Sequence, residues 1–152
     1  MIGGIAHSPG LVLISLINHS GDTEVAVRLL EELGWAEINI QFIVQCSNQK
    51  GKQVVFCVDE DDFARTNHLI QSFAERQLID ILEINHSVTC LGIYGPDFRL
   101  RSGLAGAFLR TLHSANLTIQ AISTSISTFS VVIPSNQASQ ALAAIHARFQ
   151  IP

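Results

Sequence analysis

Hydrophobic and polar positions alternate along the chain so that strands and helices are predicted in turn. The run LVLISLI at 11–17 favours a strand buried on at least one face. Turn and cap residues follow at 18–22 and mark the change to a helix. That helix carries one apolar stripe, formed by Val25, Leu29, Leu30 and Leu33. Gly34 is expected to end it in the left-handed conformation.

A hairpin and a second helix are predicted next. The apolar segments 38–46 and 54–58 are separated by the polar loop 47–52, which is typical of two antiparallel strands. The acidic residues at 59–62 are cap candidates for a helix. The apolar residues of this helix recur at helical spacing: Phe63, Ile70 and Phe73.

The second half of the chain repeats this order. A strand at 88–94 and a loop at 95–102 precede a stripe of four residues, each 79 positions after its counterpart in the first half: Leu104, Phe108, Leu109 and Leu112. The strand at 129–133 matches 54–58 at an offset of 75, and a last helix begins near 135. The chain therefore contains two diverged copies of one unit.

The repeated unit has the order strand, helix, strand, strand, helix, with a further short strand for each copy at 2–6 and 79–84. This order predicts an α+β fold of two ferredoxin-like βαββαβ units, with both helices on one face of each sheet. The second copy has no strand of its own after the last helix, so the amino-terminal strand is expected to complete it. The expected domains are 10–85, and 1–9 together with 86–152.

Composition narrows the possible partners. The 152 residues are 47% hydrophobic and 14% charged, with nine Lys and Arg against thirteen Asp and Glu. A net charge of −4 gives no basic surplus for a phosphate backbone, so nucleic acid is not an expected partner. No apolar run reaches the ~18 residues of a membrane span, and no signal peptide is visible. We expect a cytoplasmic protein that does not associate with membranes.

No motif for catalysis, cofactors or metals is visible in the sequence. The three cysteines, Cys46, Cys57 and Cys90, form no CxxC pair, and the six histidines have no zinc-like spacing. Phosphate-binding glycine loops are absent from the sequence, and Ser123 has no nucleophile elbow around it. We therefore expect no cofactor, no metal and no catalytic site within this chain.

Several segments resemble one family in order and spacing. The matching segments begin with Gly4-Ile5-Ala6 and continue with Ile38-Asn39-Ile40 and then Ile43-Val44-Gln45. Later come the loop Gly95 to Gly103, the pair Ile122-Ser123-Thr124-Ser125 and Ser130-Val131-Val132-Ile133, and the ending Ala144 to Phe149. In this order the segments resemble the paired ACT domains in the regulatory region of aspartate kinases, almost from end to end.

The resemblance implies a regulatory role and two effector sites. In such kinases the region senses end-product amino acids, lysine and threonine in many members, at the interface between ACT domains. The implied partners are an amino-acid effector and either a second copy, as a homodimer through ACT domains, or a catalytic kinase chain. By position, the first site comprises Ser20, Gly21, Asp22, Asn39, Ile40 and Gln45. The second comprises Arg101, Ser102, Gly103, Thr118, Ile119, Ser123 and Thr124.

The first loop departs from the family pattern. Thr23 and Glu24 stand where the family has Pro and Gly, and a carboxylate at Glu24 repels a ligand carboxylate from the helix start. In the second loop Gly103 is retained and Arg101 can pair with a carboxylate, so this loop is the better candidate. Two alternatives stay open: an amino-acid sensor, and a structural dimerisation module that has lost its effector site. The chain is either a separate regulatory subunit or part of a longer kinase.

Overall fold

The computed structural model describes residues 2–20 and 22–151. Within these residues six strands and five α-helices follow one another, with two short 3-10 turns at Glu60–Asp62 and Ser135–Gln137. The first half comprises β1 (Gly4–Asn18), α1 (Thr23–Trp35), β2 (Phe42–Asn48), β3 (Gly51–Asp59) and α2 (Phe63–Glu75). The second comprises β4 (Asp80–Tyr94), α3 (Asp97–Leu100), α4 (Leu104–Ser114), β5 (Ala121–Thr124), β6 (Thr128–Pro134) and α5 (Ala138–Arg148).

The chain divides into two compact units. One is Gly10–Ser87, and the other combines Met1–Pro9 with Val88–Pro152. We call them the first unit and the second unit. β1 and β4 are each 15 residues long and supply a segment to both units.

In the first unit the strands are ordered β2-β3-β1-β4, and the β1–β3 and β2–β3 pairs are antiparallel. α1 packs with α2. Alternate residues of β1 enter the helix-side core because side chains along a strand point to opposite faces. This core is formed by Val12, Ile14, Leu16, Val25, Leu29, Leu33, Phe56, Ile70 and Phe73, together with neighbouring residues. The helical stripe expected from the sequence, except for the half-buried Leu30, supplies its fully buried positions on α1.

In the second unit the strands are ordered β1-β4-β6-β5, and α4 packs with α5. The core includes Leu91, Ile93, Phe108, Leu112 and Ile145, all with no measurable exposure. The amino-terminal segment completes this unit, as expected. Ile2 is buried in the same core, and the Gly3 N–H donates a hydrogen bond to the Tyr94 carbonyl oxygen at 2.7 Å. The α+β fold of two βαββαβ units is therefore confirmed.

Several element boundaries differ from the prediction. Two short strands were expected at 2–6 and 11–17, and two more at 79–84 and 88–94, but each pair is one continuous strand. Residues 38–41 lie outside β2, because the Ile38 N–H donates to the Leu33 carbonyl and closes the end of α1. The loop at 95–102 contains the short helix α3.

The end of α1 also differs from the prediction. Gly34 lies inside the helix, and the left-handed residue is Glu37, with φ 58°. Its N–H donates to the Gly34 carbonyl oxygen, and with the Ile38 hydrogen bond this forms a Schellman motif. The left-handed residue that follows a helix is usually glycine. The prediction therefore assigned this role to the nearest glycine, Gly34, and was wrong.

Candidate functional site

The loop between β1 and α1 is held by a hydrogen-bond network around Asn18. Asn18 is 5% exposed, and its side-chain oxygen accepts from the Ser20 N–H at 3.0 Å and the Ser20 hydroxyl at 2.6 Å. Its amide nitrogen donates to the Asp22 carbonyl at 2.7 Å. These hydrogen bonds tie Ser20 and Asp22, just before α1, to the end of β1.

Asp22 caps α1. Its carboxylate accepts a hydrogen bond from the Glu24 N–H at 2.9 Å, the usual N-cap arrangement. Glu24 adds a second negative charge in the first turn. The positive end of this helix dipole is therefore already compensated by the chain's own carboxylates.

A cleft of about 560 Å³ opens beside this loop. Ser20 and Asp22 line it with Asn18, His19, Val25, Ala74, Gln77, Leu78, Ile79 and Asp80. The His19 ring bridges Asp80, at 2.8 Å, and the Lys50 carbonyl, at 3.1 Å. Carboxylates at two sides make this cleft more suited to a cationic group than to an anion.

The structure brings only part of the first predicted site together. Ser20 and Asp22 lie in the cleft, and Gly21 lies outside the described residues. Asn39 and Ile40 follow the far end of α1, a 13-residue helix about 18 Å long. Gln45 is an exposed residue of β2.

The loop before α4 differs in its chemistry from the loop before α1. Gly103 occupies the N-cap position with φ 87°, and among the described side chains none caps α4. A Cβ at Gly103 would have no described heavy atom within 4 Å, so the space above the helix start is open. The first turn of α4 carries no acidic residue. This helix start is available to an anionic group in a way that the start of α1 is not.

Two adjoining clefts lie beside α4. One, of about 510 Å³, is lined by Ile2, Arg101, Leu104, Ala107, Arg148, Phe149 and Gln150. The other, of about 670 Å³, is lined by Gly103, Gly106, Ala107, Arg110, Thr111, Ser114 and Arg148. Of the described residues that line them, none is acidic, so both clefts favour negatively charged groups.

The remaining residues of the second predicted site lie elsewhere in the unit. Thr118 and Ile119 follow the far end of α4, where the Thr118 N–H donates to the Gln137 side chain at 2.8 Å. Ser123 and Thr124 lie on the edge strand β5. Arg101, Ser102 and Gly103 are consecutive and exposed, but the other four predicted residues, Thr118, Ile119, Ser123 and Thr124, line neither cleft.

Some site residues were missed in the sequence prediction. Arg148 lines both clefts beside α4, His19 and Asp80 line the cleft beside the first loop, and Lys52 contacts Thr23 at the start of α1. Lys52 donates to the Thr23 hydroxyl at 2.7 Å. Only His19 had a local signal, because it lies in the turn cluster, whereas the others are brought in from distant parts of the chain.

We also examine the described part of the chain for metal sites, membrane-spanning helices and reactive thiols. Within residues 2–20 and 22–151, no group of three or more His, Cys, Asp or Glu side chains is arranged to hold a metal. No helix among them is long and apolar enough to span a bilayer. Cys90 has a raised thiol pKa because burial disfavours its thiolate, but it lies in β4, away from both loops.

Comparison with known proteins identifies the fold. Residues 91–149 match the model of the ACT domain family. The chain is 24% identical over 152 residues to an aspartokinase of Helicobacter pylori, which covers 99% of this chain and 37% of that protein. The chain thus spans little more than a third of the length of the curated relatives it matches.

Solved structures agree over nearly the whole chain. The regulatory subunit of aspartate kinase from Thermus flavus superposes with a TM-score of 0.86 at 20% identity, covering 98% of this chain and 99% of that one. Aspartokinase III of E. coli, in complex with lysine and aspartate in its T-state, superposes with a TM-score of 0.75 at 15% identity, covering 98% and 33%. The resemblance expected from the sequence is confirmed: the chain has the tandem ACT fold of aspartate kinase regulatory regions, and residues 91–149 carry the ACT domain match.

Proposed function

We propose that this chain is the regulatory region of an aspartate kinase, in which an amino acid of the lysine or threonine class controls a catalytic kinase domain. The observation that carries the proposal is the superposition on the Thermus flavus regulatory subunit, which covers 98% of this chain and 99% of the other. The catalytic part is then either a separate chain or another segment of a longer one.

The loop before α4 is the effector site that we assign. The ligand carboxylate lies at the uncapped start of α4, near Arg101, where backbone N–H groups and a guanidinium are both donors. Gly103 has no Cβ, so the ligand carboxylate can approach the backbone at the start of α4 closely. The ligand's ammonium group requires oxygen acceptors. In a site formed between two ACT domains, the hydroxyl groups of Ser123 and Thr124, on β5 of the ACT domain that faces the loop, supply them.

The loop before α1 is a weaker carboxylate site. Asp22 already accepts the Glu24 N–H, and the Glu24 side chain adds charge of the same sign as the ligand carboxylate. In this loop an effector binds only through its ammonium end, facing Asp22 and Asp80.

The effector regulates by shifting the populations of two alternative packings of the ACT domains. An effector that binds between ACT domains stabilises one packing of those domains over another, and the catalytic part responds to that packing. The E. coli aspartokinase III complex with lysine is described as a T-state, which supports an effector-dependent conformation in that relative.

Calorimetric titration with lysine, threonine and then the other common amino acids tests the sensor role. We expect saturable binding by at least one, with a rise in melting temperature, since a ligand at ~100 times its dissociation constant adds about 2.7 kcal/mol of stability. Gly103→Glu is expected to abolish binding, and Gly103→Gln, of equal size but uncharged, to retain part of it. Glu24→Gly in the other loop leaves the affinity unchanged.

The second candidate function is a structural ACT module without an effector site. The observation that favours it is the hydrogen bond from the Glu24 N–H to Asp22, which fills the first anion site with the chain's own carboxylate. If every amino acid gives neither heat nor a melting shift, the sensor role is contradicted and the structural module is supported.

A further inference from the structure

Three arginines from different segments line the two adjoining clefts beside α4. Arg101 comes from the loop before α4, Arg110 from α4 itself and Arg148 from the last turn of α5. The guanidinium groups of Arg110 and Arg148 make no ion pair or side-chain hydrogen bond within residues 2–20 and 22–151. Two unpaired guanidinium groups at one cleft are suited to an anion that accepts several hydrogen bonds.

The positive charge is a property of the second unit and not of the fold. The second unit contains four arginines and one acidic residue, whereas the first contains five Lys and Arg and twelve Asp and Glu. The residue of α1 that corresponds to Arg110, 79 positions earlier, is Glu31. Because the same fold forms with an acidic residue there, folding does not require Arg110. A positive cleft that folding does not require favours a role in binding anions.

The two clefts are continuous past one small side chain. Ala107 and Arg148 line both of them. Their volumes, about 670 Å³ and about 510 Å³, are each within the range of small-molecule sites. One ligand can therefore extend from the first cleft into the second across the methyl group of Ala107.

The smaller cleft has an apolar wall that includes an aromatic ring. Leu104 and Phe149 line it as partly buried residues, next to the buried Ile2. The Phe149 ring packs against the Phe108 ring, with 6.2 Å between the centroids, and its side chain is otherwise partly exposed at the cleft. A partly exposed aromatic ring is a surface on which a planar heterocycle stacks. This cleft therefore suits the planar part of a ligand whose anionic group lies at the arginines.

We propose that the second unit binds a nucleoside monophosphate across these two clefts. The phosphate lies between Arg110 and Arg148, where each guanidinium can donate two parallel hydrogen bonds to its oxygens. The base stacks on Phe149 in the smaller cleft. The amino-acid effector proposed above uses the start of α4 and Arg101, so the nucleotide is a second ligand. Its binding does not depend on the proposed function.

Calorimetric titration of the chain with AMP, in the absence of any amino acid, tests the proposal. We expect saturable binding that weakens with rising salt, because the phosphate and the arginines are screened. Adenosine and inorganic phosphate should each bind about tenfold more weakly or less, since each occupies only one of the two clefts. Arg110→Gln and Arg148→Gln should each raise the dissociation constant for AMP about tenfold or more.

Two further variants separate the site from general charge effects. Lys50→Gln removes the same charge at the exposed β2–β3 turn and should leave the dissociation constant unchanged. Phe149→Leu keeps an apolar side chain without the aromatic ring; it should weaken AMP binding about threefold or more and leave the binding of inorganic phosphate unchanged. Melting temperatures without ligand check that each variant is folded.

Three results would each overturn the proposal. The first is a titration in which AMP gives neither saturable heat nor a melting shift. The second is an affinity for AMP that both arginine variants leave as unchanged as Lys50→Gln does. The third is adenosine or inorganic phosphate binding as tightly as AMP, because the ligand would then not span both clefts.

Discussion

At the residue scale, Gly51 is the position where the backbone allows least change. It lies at the turn between β2 and β3 with φ 134°, and a Cβ placed there would lie 2.2 Å from the Asn18 carbonyl oxygen. The same Asn18 organises the loop before α1. The close contact between the backbone at Gly51 and the backbone at Asn18 therefore helps to hold the loop before α1 in place.

Gly51→Ala should lower the free energy of unfolding by about 2 kcal/mol or more, because it combines a strained φ with a backbone clash. Urea denaturation measures the loss. Gly34→Ala is the matched control, since Gly34 is helical and has open space around it, and it should not destabilise the chain. Equal effects of both substitutions would contradict the argument.

The cysteines differ in environment. Cys46 is exposed, Cys57 is buried, and burial raises the pKa of the half-buried Cys90 thiol above its ordinary value of 9.0. The folded chain therefore holds the Cys90 proton more tightly than the unfolded chain does. Stability linked to this group is complete below the unfolded-state pKa and is lost as pH rises through the higher folded-state pKa.

Between pH 8 and pH 10.5 the free energy of unfolding should therefore fall more steeply for the original chain than for Cys90→Ala. Urea denaturation at several pH values gives the slopes. Cys46→Ala should keep the original slope, because Cys46 is exposed. An unchanged slope in Cys90→Ala would refute the link between burial and pH dependence.

At the element scale, three helices end on a left-handed residue that is not glycine. Glu37, Gln77 and Asn116 follow α1, α2 and α4 with φ of 58°, 58° and 57°. In each case the next residue donates its N–H to a carbonyl five residues earlier, which completes a Schellman motif. Glu37 and Asn116 are again 79 residues apart, so the two copies share this helix end.

Replacing Glu37 with glycine should stabilise the chain by about 0.5–1 kcal/mol, because glycine adopts this conformation without strain at Cβ. Asn116→Gly should give a smaller gain, since asparagine already tolerates the left-handed region. Thermal and urea unfolding measure both. Glu32→Gly, inside α1, should have the opposite sign at about 1 kcal/mol; a loss on Glu37→Gly would show that its side chain matters more than its backbone.

The elements themselves were largely predictable, and their ends were not. The apolar stripes of α1 and α4 follow from local periodicity, which needs no knowledge of distant contacts. The prediction placed separate strands on either side of residues 7–10 and of residues 85–87, but β1 and β4 continue through these segments. Pairing with neighbouring strands outweighs the local preference for a turn there. Gly10 and Ser87 adopt positive φ within these continuous strands.

At the scale of the whole molecule, the two units share their strands. β1 contributes its first part to the second unit and its remainder to the first, and β4 does the reverse. Unfolding of either unit therefore exposes hydrogen-bonding groups of a strand that continues into the other. This continuity predicts a single cooperative transition rather than two.

Phe108→Ala tests that cooperativity, because Phe108 is fully buried in the core of the second unit while Trp35 reports on the first. The substitution should cost about 3–5 kcal/mol and lower the unfolding midpoint seen by Trp35 fluorescence. Ile126→Ala, at a 72% exposed position, should leave that midpoint in place. A Trp35 transition that Phe108→Ala does not move would show independent units.

The sequence by itself determined the repeated βαββαβ order, the amino-terminal segment of the second unit and the family resemblance, because these depend on periodicity and on the order of short motifs. Only the tertiary structure decided which helix start is open. Asp22 caps α1 whereas no described side chain caps α4, and Arg148 joins Arg101 and Arg110 from the far end of the chain. Charge and shape at a site depend on residues distant in sequence, and folding is what brings them together.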